Sequence, residues 1–251
     1  MIATLTQARP RVSTLDRPTL MRLAETEYGR FASALRELDG ADWDRTTNCP
    51  GWNVRDMAGH CLGMAEMASS IKETIRQQRL AGKRGGIPID ALTGLQVEEH
   101  ATLSTSEVVD RFAAIGPKAA RARRRTAGLV RARRLPGSQI VGGKTETWTI
   151  GFLTDTVLTR DPWMHRLDIA LATGRPPVLT PGHDAVIVAD VVIEWAARHG
   201  QPVQLTLTGP AGGRWQFAAG GPDVALDAIE FIRAVSGRAP AVGLLETQVP
   251  F

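Results

Sequence analysis

"RDPWMHRLDIALATG", residues 160–174, reads as a helix that stops at a glycine. An α-helix turns about 100° per residue, so positions four and seven apart share a face. Asp161, His165, Asp168 and Ala172 follow that spacing, flanked by the apolar Met164 and Ile169. A second stretch, "PGWNVRDMAGHC" (residues 50–61), sets His60 at the edge of an apolar stripe of Val54, Met57, Ala58, Cys61, Ala65 and Ala68. His60 lines up with Met64, Met67 and Ile71, away from the face carrying Arg55, Glu66 and Glu73. Both stretches therefore carry polar residues on the buried arcs of helices.

Two kinds of reading fit these residues. In the first, a carboxylate and an imidazole at i, i+4 reach one ion, and a histidine from a facing helix completes a three-ligand set. The fourth position stays open, as in catalytic zinc sites. Imidazole nitrogen with carboxylate oxygen suits zinc, and the ligand types alone also admit nickel, iron or manganese. Asp168, one turn beyond His165, would orient the imidazole. In the second, Asp161 before Pro162 is an N-cap followed by an N1 proline. His60 and His165 are then packed core residues, and Asp168 pairs with Arg166 or Arg175. His100, His183 and His199 fall in loops or at helix ends and take no role.

Outward from these stretches, periodicity predicts helices over Pro18–Leu38, Val54–Leu80, Ala91–His100, Ser104–Arg125 and Ala185–Arg198. Ser104 and Glu107 have the spacing of a capping box. Another helix is expected from Glu146 to Ala172, with Pro162 as a kink or restart. "AGKRGGIP" (81–88) and "LPGSQIVGGK" (135–144) read as loops. After "TGRPPVLTPGHD" the character changes. "PVQLTLTG" (202–209) and "GRWQFAAGG" (213–221) read as paired strands, and "PDVALDAIEFIRAVSGR" (222–238) as a helix opened by Pro222 and closed by Gly237. The expected fold is mainly α with a small α+β part: a helical part over residues 15–175 and a C-terminal α+β part over 180–248.

Composition agrees with a soluble globular chain: of 251 residues, 43% are hydrophobic and 22% charged. No apolar run reaches the roughly 18–20 residues of a membrane span, so no membrane partner is expected. "MIATLTQARPRVSTL" contains no continuous apolar segment of a leader, and Cys49 and Cys61 make no disulfide framework, so the expected location is cytoplasmic. Lys118–Arg134 carries eight basic residues and no acidic one. Without interleaved aromatics it reads as a solvated helix face rather than a phosphate-binding surface.

The segments "CPGWNVRDMAGHC" and "TRDPWMHRLDIALATGR" resemble the mycothiol-dependent maleylpyruvate isomerase family, within the DinB-like metal-binding helical bundles. The C-terminal hairpin, helix and "SGR" ending resemble that family's second domain. The resemblance implies an N-terminal four-helix bundle holding a divalent metal, usually zinc, and a C-terminal α+β domain. Residue by residue, His60 matches the histidine of the second bundle helix and His165 that of the last. Asp161 falls where the isomerase type has a glutamate, one methylene longer. Arg238 matches an arginine near the substrate; read by itself, it is a basic residue just beyond a helix C-terminus.

The implied activity is metal-dependent chemistry with mycothiol or a similar small thiol as cosubstrate, on a small electrophile that bears a carboxylate. In the isomerase the thiol adds to a conjugated double bond, rotation follows, and elimination gives the trans isomer; a transferase would stop at the conjugate. Two other classes remain. One is a non-catalytic metal- or ligand-binding module, motivated by the Asp161-Pro162 departure. The other is a nucleic-acid-binding regulator using Lys118–Arg134.

Overall fold

The computed structural model describes residues 13–251. It divides into two compact units. The first, residues 17–126 and 158–178, is helical. Its elements are α1 (Arg17–Arg36), α2 (Val54–Ser69), α3 (Ile71–Arg84), α4 (Pro88–His100) and α5 (Thr105–Arg125). The short α6 (Gly128–Arg131) belongs to the second unit, and α7 (Leu158–Thr173) returns to the first. The bundle expected over 15–175 is thus interrupted, because residues 127–157 group with residues 179–251. Among the described residues, no helix is long and apolar enough to cross a membrane.

The bundle core is made by the apolar faces of α1, α2 and α5. Tyr28, Phe31, Leu35, Met57, Leu62 and Phe112 are among its buried residues, with the Phe31 and Phe112 rings 4.7 Å apart. Asn53 caps α2 by accepting from the Asp56 N–H at 2.9 Å, and Asp56 returns the favour to the Asn53 N–H at 3.0 Å. Ser104 and Glu107 close the same kind of box on α5, as their spacing predicts. The helix expected through Leu80 breaks at Ser70, whose extended backbone (φ −151°, ψ 127°) ends α2 and starts α3. Serine competes for backbone hydrogen bonds and favours such junctions. The break turns α3 back so that Gln77 reaches the carbonyl of Gly63 on α2 at 3.0 Å.

Pro162 neither starts nor visibly breaks α7. The helix runs through it, preceded by a π-helical turn at Phe152–Val157. Pro162 has no N–H for the carbonyl of Leu158, four residues earlier. That carbonyl instead accepts from the Arg123 guanidinium at 3.1 Å.

In the second unit, β1 (Gln139–Val141) and β2 (Lys144–Glu146) form a small hairpin. A three-stranded sheet follows α8 (Asp184–His199), in the order β4–β3–β5. β3 (Val203–Thr208) runs antiparallel to β4 (Gly213–Phe217) and parallel to β5 (Asp223–Asp227). Val203, Leu205 and Leu207 point into the core beneath α8 and α9 (Ala228–Val235), where Trp195 and Phe231 meet at 5.3 Å. The helix expected from Pro222 is corrected here: residues 223–227 are a strand, and the cap of α9 is Asp227, which accepts from the Ile229 N–H at 2.8 Å. Gly221 lies in the crossover from β4 to β5, where a Cβ would come within 2.1 Å of the Pro202 carbonyl oxygen.

Candidate metal centre

Close packing of α4 on α2 sets the floor of the site. Gly59 and Gly63, one turn apart on α2, face α4, and a Cβ on Gly63 would come within 2.6 Å of Gln96 Cγ. The buried His60 ring therefore meets the Gln96 side chain directly, with Nδ1 2.8 Å from Oε1. Its other nitrogen, Nε2, lies 3.4 Å from Asp161 Oδ1 on α7. One turn on, His165 turns its own Nε2 to the same oxygen at 3.5 Å and its Nδ1 to Asp168 Oδ2 at 3.2 Å. The two imidazoles stand perpendicular with centroids 5.2 Å apart, and Trp52 packs beside both.

Asp161 is thus the point where two helices meet through two imidazoles. Donor atoms of His60, Asp161 and His165 all lie within 4.8 Å of one another. Asp161 Oδ2 is buried and has no hydrogen-bond partner among the described residues. A buried carboxylate oxygen without a hydrogen-bond donor is a costly arrangement. The helix start at Leu158 also removes the N-cap reading, since Asp161 lies inside α7. Arg166 binds Glu27, Arg175 binds Asp42 and Asp39, and Asp168 bonds His165.

Charge follows the geometry. Burial alone would push the Asp161 carboxyl up, yet the His60 and His165 imidazoles outweigh it and hold that group well below the usual carboxylate range. Burial works against a charged His165 too, but Asp161 and Asp168 raise its pKa well above the ordinary histidine value. Burial pushes the Cys61 thiol up, with Asp161 adding to the effect, which disfavours its thiolate.

A family model described as the mycothiol maleylpyruvate isomerase N-terminal domain matches residues 24–170, more than half of the chain. The chain belongs to that family. Two similar solved structures are a crystal structure of the mycothiol-dependent maleylpyruvate isomerase, at 17% identity, and one of its histidine-to-alanine mutant, at 16%. Each match covers 90% of both chains with a TM-score of 0.57, so the likeness extends over both units as a likeness of fold. No curated protein matches the chain significantly.

For this member of the mycothiol maleylpyruvate isomerase N-terminal domain family, the structure also brings residues to the site that sequence reasoning leaves without a role. Cys49 lies in a second group with His165 and Asp168, their donor atoms within 4.8 Å. Its position directly before the "PGW" of the His60 segment was the available signal. Gln96 and His100 sit on the buried side of α4; a glutamine in line with Leu92 and His100 was the corresponding signal there. Arg238 lies in the second unit, just past α9 and Gly237, and its N–H donates to the Arg233 carbonyl at 2.8 Å. Lys118–Arg134 is not one solvated face. Arg123 is buried, Arg124 pairs with Glu25, and Arg131 pairs with Asp155.

Proposed function

We propose that this chain is a thiol-dependent, divalent-metal enzyme, an isomerase or S-transferase acting on a small electrophile. In this reading His60, Asp161 and His165 hold the cation, and mycothiol or a similar thiol is the cosubstrate. One observation carries the metal: two Nε2 atoms and a carboxylate converge while Asp161 Oδ2 is buried with no hydrogen-bond partner among the described residues. Two imidazoles and one carboxylate are a donor set suited to zinc with an open position. When bound, such a cation lowers the pKa of a thiol at that position and favours the thiolate at neutral pH.

The chain's own residues supply the rest. Asp168 accepts from His165 Nδ1, which turns Nε2 toward Asp161. Trp52 packs beside both imidazoles, its ring 5.1 Å from His60 and 6.2 Å from His165. Arg238 is the proposed partner of a substrate carboxylate, to which a planar guanidinium is matched. The family, and solved relatives named for a mycothiol-dependent isomerase, support the thiol and the maleylpyruvate-like class of substrate.

Elemental analysis of the purified chain tests the site first. About one equivalent of divalent metal is expected in the wild type, and its loss in His60→Ala and His165→Ala. Normal metal content in both variants sinks the ligand assignment. Thiol-dependent conversion of maleylpyruvate or a related electrophile tests the activity. A metal-loaded chain inert toward electrophiles with mycothiol leaves the non-catalytic module standing.

A further inference from the structure

The side of His60 away from Asp161 is held by a hydrogen-bond chain whose direction is fixed at its far end. Gln77 on α3 sends its amide nitrogen to the Gly63 carbonyl at 3.0 Å and to Glu73 Oε1 at 2.9 Å. Both of those groups can only accept, since one is a main-chain carbonyl and the other a carboxylate. The amide oxygen of Gln77 is therefore left to accept, and it does so from Gln96 Nε2 at 2.8 Å. Gln96 in turn can meet His60 Nδ1 only with its Oε1, at 2.8 Å. An oxygen acceptor there demands a proton on Nδ1. Gln77 and Gln96 are each fully buried, so water does not offer an alternative partner.

We propose that Gln96, oriented through Gln77 by the Gly63 carbonyl and Glu73, is a positioning residue that pins the His60 proton on Nδ1 and leaves Nε2 as the nitrogen facing a cation beside Asp161. This rests on the metal reading of the site and assigns the second histidine the support that Asp168 gives the first. The two supports differ in kind: His165 leans on a carboxylate, whereas His60 leans on a neutral amide whose orientation is imposed three residues away. Gly63 serves the same end twice, by its carbonyl and by the missing Cβ that lets Gln96 pass.

Gln96→Met keeps the length and burial of the side chain and removes the acceptor, and Gln96→Glu keeps an acceptor. Two readouts on the full chain separate the questions. The first is the exchange-protected imidazole Nδ1 proton of His60, seen by NMR in metal-free protein. It is expected in the wild type and in Gln96→Glu, and lost in Gln96→Met. The second is zinc affinity by competition with a chromophoric chelator, expected to fall about 10–100-fold in Gln96→Met and to recover in Gln96→Glu. If Gln96→Met does not fold, Gln77→Met frees the Gln96 amide to turn and is expected to weaken both signals. A protected proton that persists in Gln96→Met, or unchanged zinc affinity there, overturns the proposal. A wild type that binds no zinc while its proton depends on Gln96 overturns the metal reading instead, and with it the assignment of Nε2 to a cation.

Discussion

Arg123 donates to the carbonyl of Leu158 at 3.1 Å, the acceptor that Pro162 leaves without a helical N–H. The same guanidinium reaches Thr159 Oγ1 at 2.5 Å and the Tyr28 hydroxyl at 3.2 Å, so one buried cation ties α5, α1 and the first turn of α7 together. That turn carries Asp161. A helix with a proline directly after Asp161 thus has the carbonyl that the proline leaves open satisfied by a side chain from another helix.

Arg123→Met removes the bonds to Leu158, Thr159 and Tyr28 and leaves the Leu158 carbonyl without that donor, with an expected loss of about 3 kcal/mol in denaturant unfolding. Arg124→Met, one residue on at the surface, is expected to change stability by less than about 0.5 kcal/mol. Equal effects of the two substitutions would show that the Leu158 carbonyl does not depend on Arg123.

Glu27 and Arg166 form a second buried tie between α1 and α7, a two-pronged pair at 2.7 and 3.1 Å. Removing one member takes this two-pronged pair from the charge that stays in the core, and Glu27→Leu or Arg166→Met is expected to cost about 3–5 kcal/mol. Replacing both with apolar residues removes both charges of the pair from the core. Glu27→Leu with Arg166→Met is therefore expected to be no less stable than either single variant. A double variant whose loss equals the sum of the two would contradict this coupling.

These ties explain what the sequence could and could not disclose. The helices α1, α2 and α5 follow from their apolar spacing and caps, because those signals are local. So does the shared face of Asp161 and His165, which needs only the helical repeat. Residues 222–227 read as the start of a helix, because Val224 and Ala228 keep a helical step, but the alternation of Val224 and Leu226 also suits a strand, and pairing with β3 decides for the strand. The membership of residues 127–157 in the second unit depends on long-range contacts such as Arg198 with Glu146, which no local pattern records. Gln96 was hidden for the same reason. Its importance lies in what two other helices place against it.

His100 ends α4 with Nδ1 on the Gln96 carbonyl at 2.7 Å and Nε2 on Glu66 Oε2 at 3.2 Å. Burial opposes its charge, but the Glu66 carboxylate and that carbonyl outweigh burial and raise its pKa. The folded chain thus holds this proton more tightly than the unfolded one. The resulting stability is complete below the ordinary histidine pKa of about 6.5 and disappears as pH rises through the higher folded value. His100→Gln is expected to lose more stability at about pH 5.5 than at about pH 9, compared with wild type at each pH. His165 titrates in both proteins and cancels in the comparison. A difference independent of pH would remove the charged His100–Glu66 pair from the account.

Metal binding and folding are linked whenever the ligands come together only in the native state. His60 on α2 and Asp161 and His165 on α7 are separated by about a hundred residues in sequence, His60 and Asp161 by 101. Free zinc at about 100 times its Kd is then expected to stabilise the wild type by about 2.7 kcal/mol, read as a rise in Tm that a chelator reverses. His60→Ala and His165→Ala are expected to show no such rise, and Asp161→Asn a smaller one. His183→Ala supplies the control, because His183 is buried in the second unit and outside both donor groups. It should keep the full zinc response even if its baseline Tm drops. A zinc-induced shift that survives in His165→Ala would place the ion elsewhere on the chain, since His165 belongs to both donor groups around this centre.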